Sequence, residues 1–149
     1  MEGVRKEYQN IFYLYLMRDD MKKIEIGDFT IGSGCPPFII AEVGINHNGE
    51  IEKALKMIKV AKDSGANAIK FQTFKATEFV NDEKLTYTYQ SQGKEITESQ
   101  LEMFQRYEFS REEWFEIKRK CEEEDIVFLS TPQNKSDLEL LLKLGISAI

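Results

Sequence analysis

Two charged side chains stand inside apolar runs of this 149-residue chain: Glu42 in Ile39-Ile40-Ala41-Glu42-Val43 and Lys70 in Ala68-Ile69-Lys70-Phe71-Gln72. An ammonium group buried without a partner costs several kcal/mol, so Lys70 needs an anion. That anion is either Glu42 on a neighbouring strand, in a structural ion pair, or the phosphate or carboxylate of a ligand. Glu42 is correspondingly the other half of that pair, or a group that orients a hydroxyl or a water, or a general acid/base. Gln72 lies two residues beyond Lys70. Asn46 and His47 follow the first of these runs, and Ser130 and Thr131 precede Pro132. The two hydroxyls and their N–H groups suit an anion contact, and they equally suit a turn or a helix entry. His47 serves a loop as a hydrogen-bond partner as readily as it serves a ligand, and Asn46 and Asn48 are also ordinary turn and cap residues.

The elements that must position these residues alternate. Lys23-Ile24-Glu25-Ile26 and Phe29-Thr30-Ile31 flank Gly27-Asp28, which predicts a β-hairpin. Residues 38–43 are nearly all apolar and bounded by breakers, which predicts a strand buried on both faces. Ile51, Ala54, Leu55, Ile58 and Ala61 recur at helical spacing before Gly65, and residues 68–72 form the next strand. A long connection follows. Within it Thr97-Glu98-Ser99-Gln100 has the form of a capping box leading to Leu101 and Phe104. Ser110 to Glu113 is a second capping box, opening a helix whose stripe is Trp114, Ile117 and Cys121. Tyr87, Tyr89 and Trp114 suit packing or loop positions better than a base-stacking platform. Residues 126–129 form a third strand. Asn134 caps a helix carrying Leu138, Leu141 and Leu142, and Ile146-Ser147-Ala148-Ile149 opens a fourth strand. The order β-α-β-α-β-α-β implies an α/β fold with a parallel sheet. The sequence stops inside a strand pattern, and a (β/α)₈ barrel needs about 250 residues, so the expectation is the first half of such a TIM barrel, preceded by the small hairpin. Residues 1–20 read as an N-terminal extension and residues 21–149 as the truncated barrel domain.

Composition narrows the function classes. With 26 acidic and 20 basic residues the chain carries a net charge of −6, and no Lys/Arg stripe offers a surface to nucleic acid. No run approaches the roughly 20 apolar residues of a membrane span. Residues 11–17 are apolar with Arg5 and Lys6 upstream, but Arg18-Asp19-Asp20 follows in place of a small-residue cleavage site, so the run does not read as a secretory signal. Cys35 and Cys121 form no metal-ligand spacing, and two reduced thiols fit a cytoplasmic protein. Residues 44–49 lack the glycine spacing of a nucleotide-binding turn. A non-catalytic flavodoxin-like or half-barrel binding module is the competing class, although the single acid of the first strand followed by Gly-Ile-Asn-His lacks the clustered acids of a receiver domain.

Ala41-Glu42-Val43-Gly44-Ile45-Asn46-His47-Asn48-Gly49, Ala68-Ile69-Lys70-Phe71-Gln72-Thr73 and Ser130-Thr131-Pro132 together resemble the sialic acid (N-acetylneuraminate) synthases, including legionaminic and pseudaminic acid synthases and spore-coat polysaccharide synthesis proteins. The resemblance runs from about Met21 to Ile149. It implies a TIM barrel that condenses phosphoenolpyruvate with an N-acylated amino-sugar aldehyde and releases phosphate, in a homodimer when full length. It implies that Lys70 binds the anionic groups of phosphoenolpyruvate and that Thr131 with Ser130 holds its carboxylate. Glu42 would orient the sugar or the attacking water, Gln72 would lie beside the sugar, and Asn46 and His47 would shape the pocket floor. It also implies a divalent metal, Mn²⁺ or Mg²⁺, with ligands outside this chain, so that the segment alone is inactive. Gln133-Asn134 stands where many members carry an aromatic residue, which leaves the acceptor sugar open.

Overall fold

The computed structural model describes residues 23–149 apart from Glu83 and Gln92. The expectations for residues 1–20 lie outside the described residues. The chain divides between Pro37 and Phe38 into two units. In the first, β1 (Ile24–Ile26) and β2 (Phe29–Ile31) pair antiparallel, Ile24 opposite Ile31 and Ile26 opposite Phe29. Gly27 supplies the positive φ, 57°, that the predicted two-residue turn requires.

The second unit is an α/β fold. It runs β3 (Ile40–Gly44), α1 (Ile51–Asp63), β4 (Ala68–Thr73), α2 (Ala76–Phe79), β5 (Thr86–Ser91), β6 (Lys94–Ser99), α3 (Gln100–Tyr107), α4 (Arg111–Glu123), β7 (Val127–Pro132) and α5 (Lys135–Lys143). The principal sheet is parallel with the order β3-β4-β7. β4 takes the centre because Ala68, Ile69 and Phe71 are fully buried, whereas flanking strands can leave more surface exposed. Asn67 sets both registers: its Oδ1 accepts the Ile39 N–H at 2.8 Å, and its carbonyl accepts the Val127 N–H at 3.0 Å.

The core lies between this sheet and the helices. Ala54, Ile58 and Ala61 of α1, Trp114, Ile117 and Cys121 of α4, and Leu141 of α5 pack with Ile69, Phe71 and Phe128. The stripes predicted for α1 and α4 are therefore the buried ones. Ser110 caps α4 as expected: its Oγ accepts the Glu113 N–H, and Glu113 Oε2 accepts the Ser110 N–H at 2.7 Å. The two cysteines are free, and burial pushes the Cys121 thiol up to about 12.

Five sequence expectations are corrected. β3 is an edge strand among the described residues, not one buried on both faces, and Ile40 is exposed. The long connection contains an antiparallel hairpin, β5–β6, with Thr88 Oγ1 and Thr97 Oγ1 2.8 Å apart across it. Thr97 is thus a strand residue, and Ser99 caps α3, accepting the Glu102 N–H at 3.4 Å. Leu142 is exposed, because the face that α5 buries runs through Leu141 and Leu144. Residues 146–149 form no strand; the Ile146 N–H instead closes the end of α5 on the Leu141 carbonyl. No helix among the described residues is long and apolar enough to cross a membrane.

Candidate substrate site at the strand ends

Pleating sorts the candidate residues onto two faces of the sheet, since successive side chains along a strand point to opposite sides. Glu42 pairs in register with Lys70, Lys70 with Leu129, and Gln72 with Thr131. Glu42, Lys70, Gln72 and Thr131 therefore share one face at the C-terminal end of a parallel sheet, where α/β folds bind ligands. Lys70 Nζ sits 2.7 Å from Glu42 Oε1. This is the ion-pair partner that the sequence left open. The Glu42 side chain is 61% exposed and that of Lys70 33%. The apolar surroundings expected for Glu42 are absent because β3 is at the edge. A pair this exposed is worth about 0–1 kcal/mol, so a ligand phosphate can displace the carboxylate at little cost.

The Glu42/Gly44 step of β3 carries a register irregularity, and Gly44 turns away with φ 54°. The Gln72 side chain lies over it: a Cβ on Gly44 would meet Gln72 Cδ and Nε2 at 3.8 Å. Residues 44–49 then wind through successive turns, Asn46 N–H to Val43 O, Asn48 N–H to Ile45 O and Glu50 N–H to His47 O. Asn46 is left exposed. Glu42 and Asn46 also border a cleft of about 400 Å³ walled by Ile39, Met57 and Val60, which Lys70, Gln72 and Thr131 do not line.

Ser130 and His47 do not join this set. Ser130 pairs in register with Phe71, on the helix-facing side, and is fully buried. Its Oγ lies 2.6 Å from Thr73 Oγ1, so the hydroxyl is spent on a neighbouring strand. Thr131, one residue on, is the exposed hydroxyl on the Lys70 face. His47 is completely buried, stacked on Phe109 at 4.2 Å between ring centroids. Its Nδ1 accepts the Gly49 N–H at 3.1 Å. Gly49 in turn presses on the end of α3, where an added Cβ would fall 1.8 Å from the Arg106 carbonyl oxygen. Sequence reasoning missed Thr73, which gives Ser130 its partner, and Phe109, whose position between two helices carries no periodic signal.

The NeuB family matches residues 57–149, more than half of the chain. The chain belongs to the NeuB family. Similar NeuB-type proteins include the N,N'-diacetyllegionaminic acid synthase of Legionella pneumophila, 36% identical over 79% of this chain and 33% of that protein. The enzyme of the same name from Campylobacter jejuni is 40% identical over 72% of this chain and 32% of its own length. Among solved structures, the N-acetylneuraminic acid synthetase of Leptospira borgpetersenii in complex with citrate superposes with a TM-score of 0.71 at 32% identity, covering 85% of this chain and 39% of that one. The chain spans about a third of the length of the curated relatives it matches.

The described part of this NeuB-family chain brings together no group of three or more His, Cys, Asp or Glu side chains that could hold a metal ion. These described residues do not by themselves fit the divalent metal that the family resemblance implies.

His47 also gives this NeuB-family chain a pH signature. Burial lowers its pKa to about 4, against weaker opposing effects of the Gly44 backbone and Glu113. The unfolded imidazole, near 6.5, binds a proton that the folded one refuses, so stability rises with pH through that window. Acidification from about pH 6.5 to about pH 4 is expected to remove about 3 kcal/mol through this group. His47→Phe, which cannot titrate, is expected to flatten that segment of the urea-unfolding profile; an unchanged profile contradicts the assignment.

Proposed function

We propose that this chain supplies the first β/α units of a (β/α)₈ barrel in a nonulosonic acid synthase, which condenses phosphoenolpyruvate with an N-acylated amino-sugar aldehyde and releases phosphate. The observation that carries this reading is the convergence of Glu42, Lys70, Gln72 and Thr131 on one face at the strand ends. The reaction joins the enol methylene carbon to the aldehyde carbon, adds water at the enolpyruvyl carbon and expels phosphate. Lys70 suits the phosphate or carboxylate, which would replace Glu42 as its partner. Glu42, once released, is an acceptor able to orient the sugar hydroxyls or the water. Gln72 offers an amide beside the sugar, and Thr131 a hydroxyl to the carboxylate. Holding the two carbons at near-attack distance is a positioning task, which rigid strand ends perform better than loops.

The proposal includes a divalent metal, Mn²⁺ or Mg²⁺, held by ligands outside this chain, a cytoplasmic location, and a homodimer at full length. The test is phosphate release by the gene product containing residues 1–149, with phosphoenolpyruvate and a panel of N-acylated amino-sugar aldehydes. Release is expected only when both substrates are present. Release from phosphoenolpyruvate alone, or none with any aldehyde, overturns the reading.

A further inference from the structure

We propose that His47 is a positioning residue: its imidazole clips residues 44–49 from the inside and so fixes Gly44 beneath the Gln72 side chain and Asn46 beside the strand-end face. The proposal rests on the reading of that face as a substrate site. The clip has three parts. The ring is completely buried and stacked on Phe109, with centroids 4.2 Å apart and planes 26° apart. Nδ1 accepts the Gly49 N–H, which closes the loop on itself. Gly49 is wedged against the Arg106 carbonyl, which closes the loop on α3.

Accepting at Nδ1 places the proton on Nε2, which meets no acceptor at full hydrogen-bonding geometry and feels only a weak pull from the Gly44 backbone. Burying an N–H so weakly partnered is costly, and a purely apolar ring stacked on Phe109 would not carry that cost. What the imidazole adds is an in-plane acceptor for Gly49. The ring therefore spends stability on the shape of one loop. That loop begins at the Glu42/Gly44 irregularity, so its shape sets both the floor under Gln72 and the place where Glu42 leaves the sheet. Glu113 of α4 is the charged group acting on the ring.

The chain has one histidine, so ¹⁵N-histidine labelling gives a spectrum of His47 alone. The expected result is a neutral ring in the Nε2–H form that stays unprotonated from about pH 8 to about pH 5. In His47→Phe the amide signals of Gly44, Asn46 and Gly49 and the Gln72 side-chain signal shift or broaden. In His47→Asn, whose Oδ1 can reoccupy the Nδ1 position, they return towards the wild-type pattern. On the same samples, phosphoenolpyruvate binding weakens by about tenfold in the Phe variant and by less than about threefold in the Asn variant, the scale of one buried hydrogen bond. A ring titrating near the ordinary 6.5, an Nδ1–H form, or an Asn variant no better than Phe overturns the proposal. If the wild-type chain binds no phosphoenolpyruvate while the amide pattern holds, the clip stands and the substrate reading falls.

Discussion

Under the proposed function, phosphoenolpyruvate-dependent phosphate release is expected to fall by about 10²–10³-fold when Lys70 becomes methionine, the scale of removing one preorganised donor from developing charge. Methionine keeps most of the length and the apolar stem of lysine, so the packing of β4 is retained while the charge is lost. Measured on the gene product that contains this segment, the loss should lie in kcat/KM at unchanged thermal stability, because the exposed Lys70–Glu42 pair contributes little to folding. Glu42→Gln separates the two uses of that pair. The amide is the same shape but no longer competes with the phosphate for Lys70. The KM for phosphoenolpyruvate should therefore hold or fall, while kcat drops by about 10²-fold if the carboxylate orients a proton-bearing group. If both variants stay within a few-fold of wild type, Lys70 and Glu42 are a structural pair and nothing more.

The largest expected effect on stability comes from the residue between Lys70 and Gln72. Phe71 is fully buried, edge-on to Trp114 at 6.0 Å and 6.1 Å from Phe128 between centroids. Phe71→Ala should cost about 3–5 kcal/mol, the transfer of the ring plus the cavity it leaves. Domains of this kind hold about 5–15 kcal/mol in total, so much of the population unfolds at modest denaturant. Urea midpoints at constant slope are the measurement. Leu142→Ala is the internal reference, since its side chain is 62% exposed and should change stability by less than about 0.5 kcal/mol. Equal shifts for the two variants would mean that the core is not where Phe71, Trp114 and Phe128 place it.

The parts of the molecule that the sequence discloses are those in which one physical cause dominates. Lys70 and Gln72 alternate with Ile69 and Phe71, so the two-residue period separates a chemical face from a core face along β4. In β7 the same period is hidden, because Phe128 and Leu129 are both apolar and Ser130 and Thr131 both carry hydroxyls. Only the register with β4 tells which hydroxyl faces the site. Residues 38–43 mislead for a related reason: an apolar run looks the same whether one or two strands flank it, and the neighbour is set by distant parts of the chain. Thr86-Tyr87-Thr88-Tyr89 does alternate, but the sequence between the two strands holds none of the strong two-residue turn signals, and Gly93 reaches φ 76° without an Asn or Asp before it in the sequence. Thr97 and Ser99 are both able to cap α3, and pairing across the hairpin decides between them.

Gly49 governs how this molecule can be recombined. Its φ of 73° and the Arg106 carbonyl, 1.8 Å from where a Cβ would stand, admit no other residue while both backbones keep their course. Loop 44–49 and the end of α3 are consequently coupled in space, although more than fifty positions of sequence separate them. A chimaera whose loop brings a side chain to position 49 drives that side chain into the Arg106 carbonyl. At Gly93 an added Cβ meets nothing within 4 Å, so the tip of the β5–β6 hairpin is the open seam at which segments can be lengthened, shortened or exchanged while the loop beside Glu42 keeps its course.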